Sequence, residues 1–288
     1  MRIACDVHVH LWDASSRDHI DESFINELRD VSGRDGTLDV NLQQFPSHYA
    51  NVDKVVVFGG MARHTGLHVP NQFIHDFVQN SEIGGKLIPF VGIDPFDANY
   101  MDEFERAVDD WGFRGVKLMP MYANFDPRDE LLAPLYEACE RKGLPILFHM
   151  GTTFCRCAPL NFAEPMMLEP VALKYPDLKM IVAHMGHPFE NQTVVLIRKQ
   201  PNIYSDLSAL HYRPWQLFNS MMLAQEYGVT HKLLFGTDYP FTMPDESMVK
   251  LREIMRFSFG SGSSMPHLNP EWMEDVFSRD TVSLLGLI

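Results

Sequence analysis

The chain has 288 residues, with 24 Lys and Arg against 38 Asp and Glu, a formal net charge of −14, 13 His and 4 Cys. That balance excludes a general binder of nucleic acid or anionic membrane, since both need a basic face; an apolar fraction of 45% can fill a sizeable core. No apolar run approaches the ~20 residues that span a bilayer, the start MRIACDVHVHLWD does not read as a signal peptide, and no low-complexity or single-sign charge block suggests disorder.

Short apolar runs rich in β-branched residues recur along the chain. They begin near Ile3 (IACDVHV), Lys54 (KVVVFG), Leu87 (LIPFVGI) and Arg114 (RGVKLM), then near Pro145 (PILFHM), Lys179 (KMIVAH), Asn202 (NIYSDL) and Lys232 (KLLFGTD). Near-continuous hydrophobicity is the mark of parallel strands buried on both faces. Helical patterns alternate with them. Asp97–Trp111 sets Met101, Phe104, Val108 and Trp111 in helical register. Asp129–Lys142 sets Leu131, Leu132, Leu135, Ala138 and Cys139 on one stripe, opens acidic, closes basic and stops at Gly143. Ala163–Tyr175, Glu190–Gln200 and Arg213–Tyr227 are long enough for helices.

Eight alternating units predict an α/β protein, a (β/α)8 TIM barrel filling residues 1–288 as one domain. An open doubly wound sheet is the alternative, and the lack of a glycine-rich phosphate loop after any strand counts against it. Asp13–Tyr49, between strands one and two, is long for a loop and reads as a lid or small subdomain over the active face. The cysteines make a poor disulfide framework: Cys5 and Cys139 fall in expected elements, and Cys155 and Cys157 form a C-x-C in a loop. Such use fits a reducing, cytoplasmic compartment.

In a barrel the catalytic groups come from the C-terminal ends of several strands. Strand one ends in DVHVH, where a period of two puts Asp6, His8 and His10 on one face. Strand five ends in His149, strand six in His184 and strand eight in Asp238. Four strands thus deliver four imidazoles and a carboxylate to one rim. That set suits Zn²⁺, with Mn²⁺ or Fe²⁺ as alternatives, and leaves a coordination position for water. Arg63 and His64 follow strand two, Arg156 follows strand five, and His211 and Arg213 follow strand seven. An arginine at the mouth suits a carboxylate, because its fork makes paired hydrogen bonds. Trp12, Phe154 and Phe241 are candidates for an apolar pocket wall, Trp12 first among them.

The HVH of strand one, GVKLMP, LPILFHMGT, PDLKMIVAHMGHP, LLFGTDYPF and the closing VFSRDTVSLLGL together resemble the landmarks of the amidohydrolase superfamily, in its amidohydrolase-related (amidohydrolase 2) branch. The resemblance implies a (β/α)8 barrel with one divalent metal. It places the metal on His8, His10, His149 and Asp238, and His184 beside it as an acid, base or electrophilic group. It also implies enzymes of two kinds: hydrolases of lactones and amides, and nonoxidative decarboxylases of hydroxylated aromatic or muconate-like acids. In several of the decarboxylases the first residue of the H-x-H is acidic, where this chain has His8; the aminocarboxymuconate type keeps both histidines. Many superfamily members carry a carboxylated lysine on strand four. Lys117 occupies strand four here and is expected to point at substrate or to pack.

The mechanism that follows from this ligand set is hydrolysis by metal-activated water, with Asp238 accepting the proton and His184 polarising the carbonyl. The expected substrate is a small organic acid, its lactone or an amide, met by Trp12, Arg63, Lys117, Arg156 and His211. Decarboxylation by the same metal is the alternative, and a non-catalytic metal- or ligand-binding barrel is the reading from another class. No nucleic acid or membrane partner is expected. A homodimer is, with the Met221-Met222 region as its apolar surface.

Overall fold

The computed structural model describes residues 2–13, 15–32, 40, 42–260 and 264–288. Every apolar run of the sequence becomes a parallel strand. They are β1 (Ile3–His10), β2 (Val52–Phe58), β3 (in two pieces, Leu87–Pro89 and Val91–Gly92), β4 (Val116–Leu118), β5 (Ile146–Phe148), β6 (Met180–Val182), β7 (Ile203–Asp206) and β8 (Leu233–Leu234). Neighbours in sequence are neighbours in space, from the Ile3/Val52 pairing of β1 with β2 to the Ser205/Leu233 pairing of β7 with β8. Phe90 bridges the two pieces of β3, its N–H donating to Val57 O at 2.9 Å. The ring closes where Val7 N donates to Phe235 O at 3.0 Å and Val9 bridges Tyr239 in parallel. The result is a (β/α)8 barrel.

Two apolar cores follow. Cys5, Val7, Val56, Phe58, Ile88, Phe90, Leu147 and Ile181 fill the barrel interior, and a larger cluster lies between the strands and the outer helices. Helix α1 (Glu22–Ser32) lies in the long segment after β1 and buries Phe24 and Leu28. The expected stripe of Asp129–Lys142 is modified at its start. Asp129 accepts from Leu131 N at 2.9 Å and caps a tight turn at Glu130–Leu132, so Leu131 is exposed before the α-helix Ala133–Lys142 begins. That helix buries Leu135, Tyr136, Ala138 and Cys139 and ends at Gly143, whose φ of +68° suits glycine. Tyr100–Glu105 runs into a widened turn at Arg106–Asp110, which rotates the buried face to Tyr100, Phe104 and Ala107 and leaves Val108 and Trp111 half-buried.

One expectation about assembly is corrected here. Met221 and Met222 face the core from the helix Pro214–Glu226 and are buried within the chain, so they offer no exposed apolar surface. Among the described residues no helix is long and apolar enough to cross a membrane.

Candidate metal centre

Strand β1 is irregular where it matters. Its register against β2 shifts between Asp6 and Val9, which breaks the period of two. The expected common face of Asp6, His8 and His10 is therefore corrected. The Asp6 carboxylate accepts from Thr237 N (3.1 Å) and Thr237 Oγ1 (2.7 Å), with Tyr49 OH at 3.4 Å, and so fastens β1 to the segment after β8. His8 and His10 both pack on Phe58, with ring centroids at 5.4 and 4.8 Å.

The segment after β8 brings Asp238 to these rings. Gly236 permits the approach: a Cβ there would lie 3.1–3.3 Å from the Cβ atoms of His8, Ser208 and Asp206. Asp238 N donates to His8 O at 2.9 Å, and Asp238 itself has a left-handed backbone with φ +58°. His8 Nε2, His10 Nε2 and Asp238 Oδ1 then stand pairwise 3.3 Å apart. Three donors at about that spacing match the edges of a tetrahedral shell with metal–ligand distances of about 2.0–2.1 Å. The chemistry of the set agrees. Burial lowers the pKa of His8 and of His10, so both rings are neutral and offer lone pairs. Burial alone would raise that of Asp238, but its contacts with the His8 and His10 rings and the positive charge of Lys117 hold it down at about 2. The residues fit a divalent cation.

His149 and His184 form a second pair beside the first. His184 Nε2 lies 3.2 Å from His149 Nδ1, and the His184 ring stacks on His8 at 5.9 Å. His149 Nε2 meets Thr152 O at 3.1 Å, and burial pushes its pKa down to about 3. The nitrogens of His149 are not part of the compact His8–His10–Asp238 group. Lys117 is fully buried, with Nζ 3.3 Å from His8 Nε2 and 4.7 Å above the Phe58 ring; burial lowers its pKa to about 8.

A cavity of about 520 Å³ opens over these groups, with His10, His149, His184 and Asp238 on its floor. Its walls are aromatic: Trp12, Phe24, Tyr122, Phe154, Tyr212 and Phe241. Phe24, Leu28 and Val31 reach it from α1, so the segment after β1 does cover the mouth. The other expected substrate residues lie elsewhere. Arg63 pairs with Asp97, its Nε donating at 2.9 Å, and does not line the cavity. Arg156 is exposed and is tied to α1: its backbone N–H donates to Glu27 Oε2 at 2.9 Å and its guanidinium is 3.8 Å from Asp30. His211 is buried against Gly236 O at 3.3 Å. Arg213 does line the cavity. It lies over the Tyr212 ring at 4.5 Å and donates to Ala209 O at 2.8 Å, and it makes no ion pair with a carboxylate among the described residues.

Sequence reasoning left out Phe24, Tyr122 and Asp206. Phe24 and Tyr122 join Phe154 in one aromatic corner, with centroids 5.0 and 6.0 Å from it. Asp206 carried a signal, a carboxylate closing the apolar run NIYSDL at the C-terminal end of β7.

A three-residue imidazole and carboxylate cluster at the C-terminal mouth of a (β/α)8 barrel is the architecture of a metal-centred barrel enzyme. Comparison with known proteins gives the family. The chain belongs to the amidohydrolase family, in its amidohydrolase 2 branch, whose sequence profile matches residues 5–283. It is similar in structure to an uncharacterised TIM-barrel protein from Bordetella bronchiseptica (TM-score 0.76, 18% identity, 100% of this chain and 99% of that one). It is similar also to a probable 2-pyrone-4,6-dicarboxylic acid hydrolase from Acinetobacter baumannii, with citric acid bound (TM-score 0.69, 16% identity, 99% and 100%). A third similar structure is a 5-carboxyvanillate decarboxylase from Novosphingobium aromaticivorans, complexed with manganese and 4-hydroxy-3-methoxy-5-nitrobenzoic acid (TM-score 0.64, 15% identity, 99% and 96%). The family and these neighbours include both hydrolases and decarboxylases.

Proposed function

We propose that this protein is a metal-dependent hydrolase of a small planar organic acid, acting on its lactone or an amide. The observation that carries the reading is the position of Asp238. Its carboxylate contacts both imidazoles of the H-x-H pair and also lines the cavity, so one group can hold an ion and take a proton from substrate water. His8, His10 and Asp238 would hold the ion, with His149 as the fourth side chain near it; Zn²⁺ suits the donor set, and Mn²⁺ is compatible. When bound, such an ion supplies Lewis acidity and lowers the pKa of its water to about 7. Asp238 accepts the proton of the attacking water and returns it to the leaving group. His184, on the same floor, faces the carbonyl oxygen as it becomes an oxyanion. Arg213 takes the substrate carboxylate.

The arginine makes a prediction of its own. Arg213→Met is expected to raise KM for a carboxylate substrate by about 10- to 100-fold, the value of a charged hydrogen bond, with kcat changed far less. Steady-state kinetics on acid and ester forms of one substrate check it; an equal effect on both forms would remove the carboxylate from the assignment.

The aromatic walls favour decarboxylation of a hydroxylated aryl acid as the second reading. There, Asp238 first takes the proton of the substrate hydroxyl and passes it to the ring carbon, or His184 gives its ring N–H proton there and regains one from that hydroxyl, as the carbon–carboxylate bond breaks and CO₂ leaves. An assay on a panel of lactones and hydroxylated aromatic or muconate-like acids separates the two. Acid release without CO₂ supports the hydrolase, and CO₂ from an aryl acid with no lactone opening replaces it with the lyase. Purified protein is expected to hold about one divalent ion per chain, and a chain that binds none is not a metal enzyme of either kind.

A further inference from the structure

The carboxylate of Asp206 touches both halves of the cluster. Its Oδ2 lies 3.0 Å from His8 Nδ1. Its Oδ1 accepts from His184 N at 2.8 Å, from Ser208 N at 3.0 Å and from the Ser208 hydroxyl at 2.5 Å. We propose that Asp206 is a positioning residue: it fixes His8 in the Nδ1–H tautomer, which keeps the Nε2 lone pair turned to His10 and Asp238, and it pins the left-handed turn that presents His184. The first half deepens the metal-centre reading and rests on it for its purpose, though not for its geometry.

The tautomer follows from counting protons. Backbone and hydroxyl donors converge on Asp206, so it acts as an acceptor towards all of them. Ser208 has one hydroxyl proton, and it points to Asp206 Oδ1; its oxygen, 3.1 Å from His8 Nδ1, can therefore only accept. Both groups facing Nδ1 are acceptors, and the ring proton sits between them. On the far side a donor, Lys117 Nζ, and an acceptor, Asp238 Oδ1, both stand 3.3 Å from Nε2, so the two acceptors at Nδ1 decide where the proton sits. A histidine that ligates a metal through one nitrogen needs its other N–H held in this way.

The second half rests on the backbone. His184 has φ 41° and ψ 45°, and Met185 φ 54° and ψ 16°. Neither is glycine, so each Cβ is crowded there, and such conformations persist only where the surroundings impose them. The Asp206 acceptor on His184 N is one such restraint, reaching from β7 to the end of β6.

Asp206→Asn tests the proposal with little change of shape. The amide oxygen can still accept from His184 and Ser208, while the NH₂ now faces His8 Nδ1 as a donor and reverses the tautomer. In chelator-treated protein, ¹⁵N shifts of the His8 ring are expected to report Nδ1–H in the wild type and Nε2–H in the variant. Competition with a chromophoric chelator is expected to show Mn²⁺ or Zn²⁺ bound about 10- to 100-fold more weakly by the variant. A folded Asp206→Asn with the wild-type tautomer and unchanged affinity overturns the first half. If the wild type itself binds neither ion, the metal reading fails and the ¹⁵N result alone decides the role of Asp206. If Asp206→Asn does not fold, Ser208→Ala decides: a smaller shift of the same sign supports the proposal and no shift overturns it. Amide exchange at His184 reads the second half. Protection is expected in the wild type and Asp206→Asn but not in Asp206→Ala, and equal protection in all three overturns it.

Discussion

Asp238→Asn is expected to lower kcat/KM by about 10³-fold, the middle of the range for losing a general base, while the protein stays folded. The fold survives because the change is small where the backbone is unusual. Asp238 has φ +58°, a conformation that Asn tolerates and most residues do not. Its N–H still donates to His8 O, so the segment after β8 stays fastened to β1. The chemistry does not survive. The carboxylate is held ionised, and its negative charge faces two neutral imidazoles at 3.3 Å. The amide has no charge to give an ion and no basic oxygen for the proton of water. Kinetics and metal content measured together separate these roles. Loss of activity at full metal occupancy assigns Asp238 as the base, and loss of both assigns it mainly as a ligand. Activity within tenfold of wild type would remove Asp238 from the chemistry altogether. Asp238→Ala is a poorer probe, since alanine at that φ adds strain of about 1–2 kcal/mol to whatever the lost carboxylate costs.

The barrel was legible because its strands are buried on both faces and so read as apolar runs whatever their neighbours do. The same logic placed His8, His10, His149, His184 and Asp238 at strand ends, and all of them do reach one mouth. It failed at Asp6, where a bulge changes the face and no residue pattern announces it. It failed again for the arginines. Arg63 is held by Asp97, and Arg156 by Glu27 and Asp30. Those partners lie on other elements, so a loop arginine free to meet substrate and one already paired look alike in sequence. Arg213, from the same reasoning, reaches the cavity: its neighbour Tyr212 supports the guanidinium, and no carboxylate among the described residues forms an ion pair with it. The aromatic corner of Phe24, Tyr122 and Phe154 joins three connections that only the closed barrel brings together.

Acid is expected to draw stability from this protein through buried histidine, against the opposing pull of the buried Asp6 carboxyl, which burial raises to about 7. His187 and His211 are nearly inaccessible to solvent and keep folded-state pKa values of about 4, chiefly through burial, with Arg213 also disfavouring charge on His187. In the unfolded chain both return to about 6.5. The sign follows from proton binding: between pH 6.5 and 4 the unfolded state takes up protons that the folded state refuses, so stability falls as pH falls. The full effect is about 3 kcal/mol per ring, and about 2 kcal/mol of it is already lost at pH 5. Two rings therefore remove about 4 kcal/mol at pH 5, against a typical total of about 5–15 kcal/mol. Above pH 7 the contribution is complete and flat. Urea midpoints of chelator-treated protein at pH 7.5, 6, 5 and 4.5 check this without the added pull of a bound ion. His211→Asn keeps a donor for Gly236 O and cannot charge, so it is expected to flatten the pH dependence even if it lowers stability at pH 7.5. A variant with the wild-type slope would show that His211 can take its proton inside the folded chain, and that the burial seen around it does not exclude water.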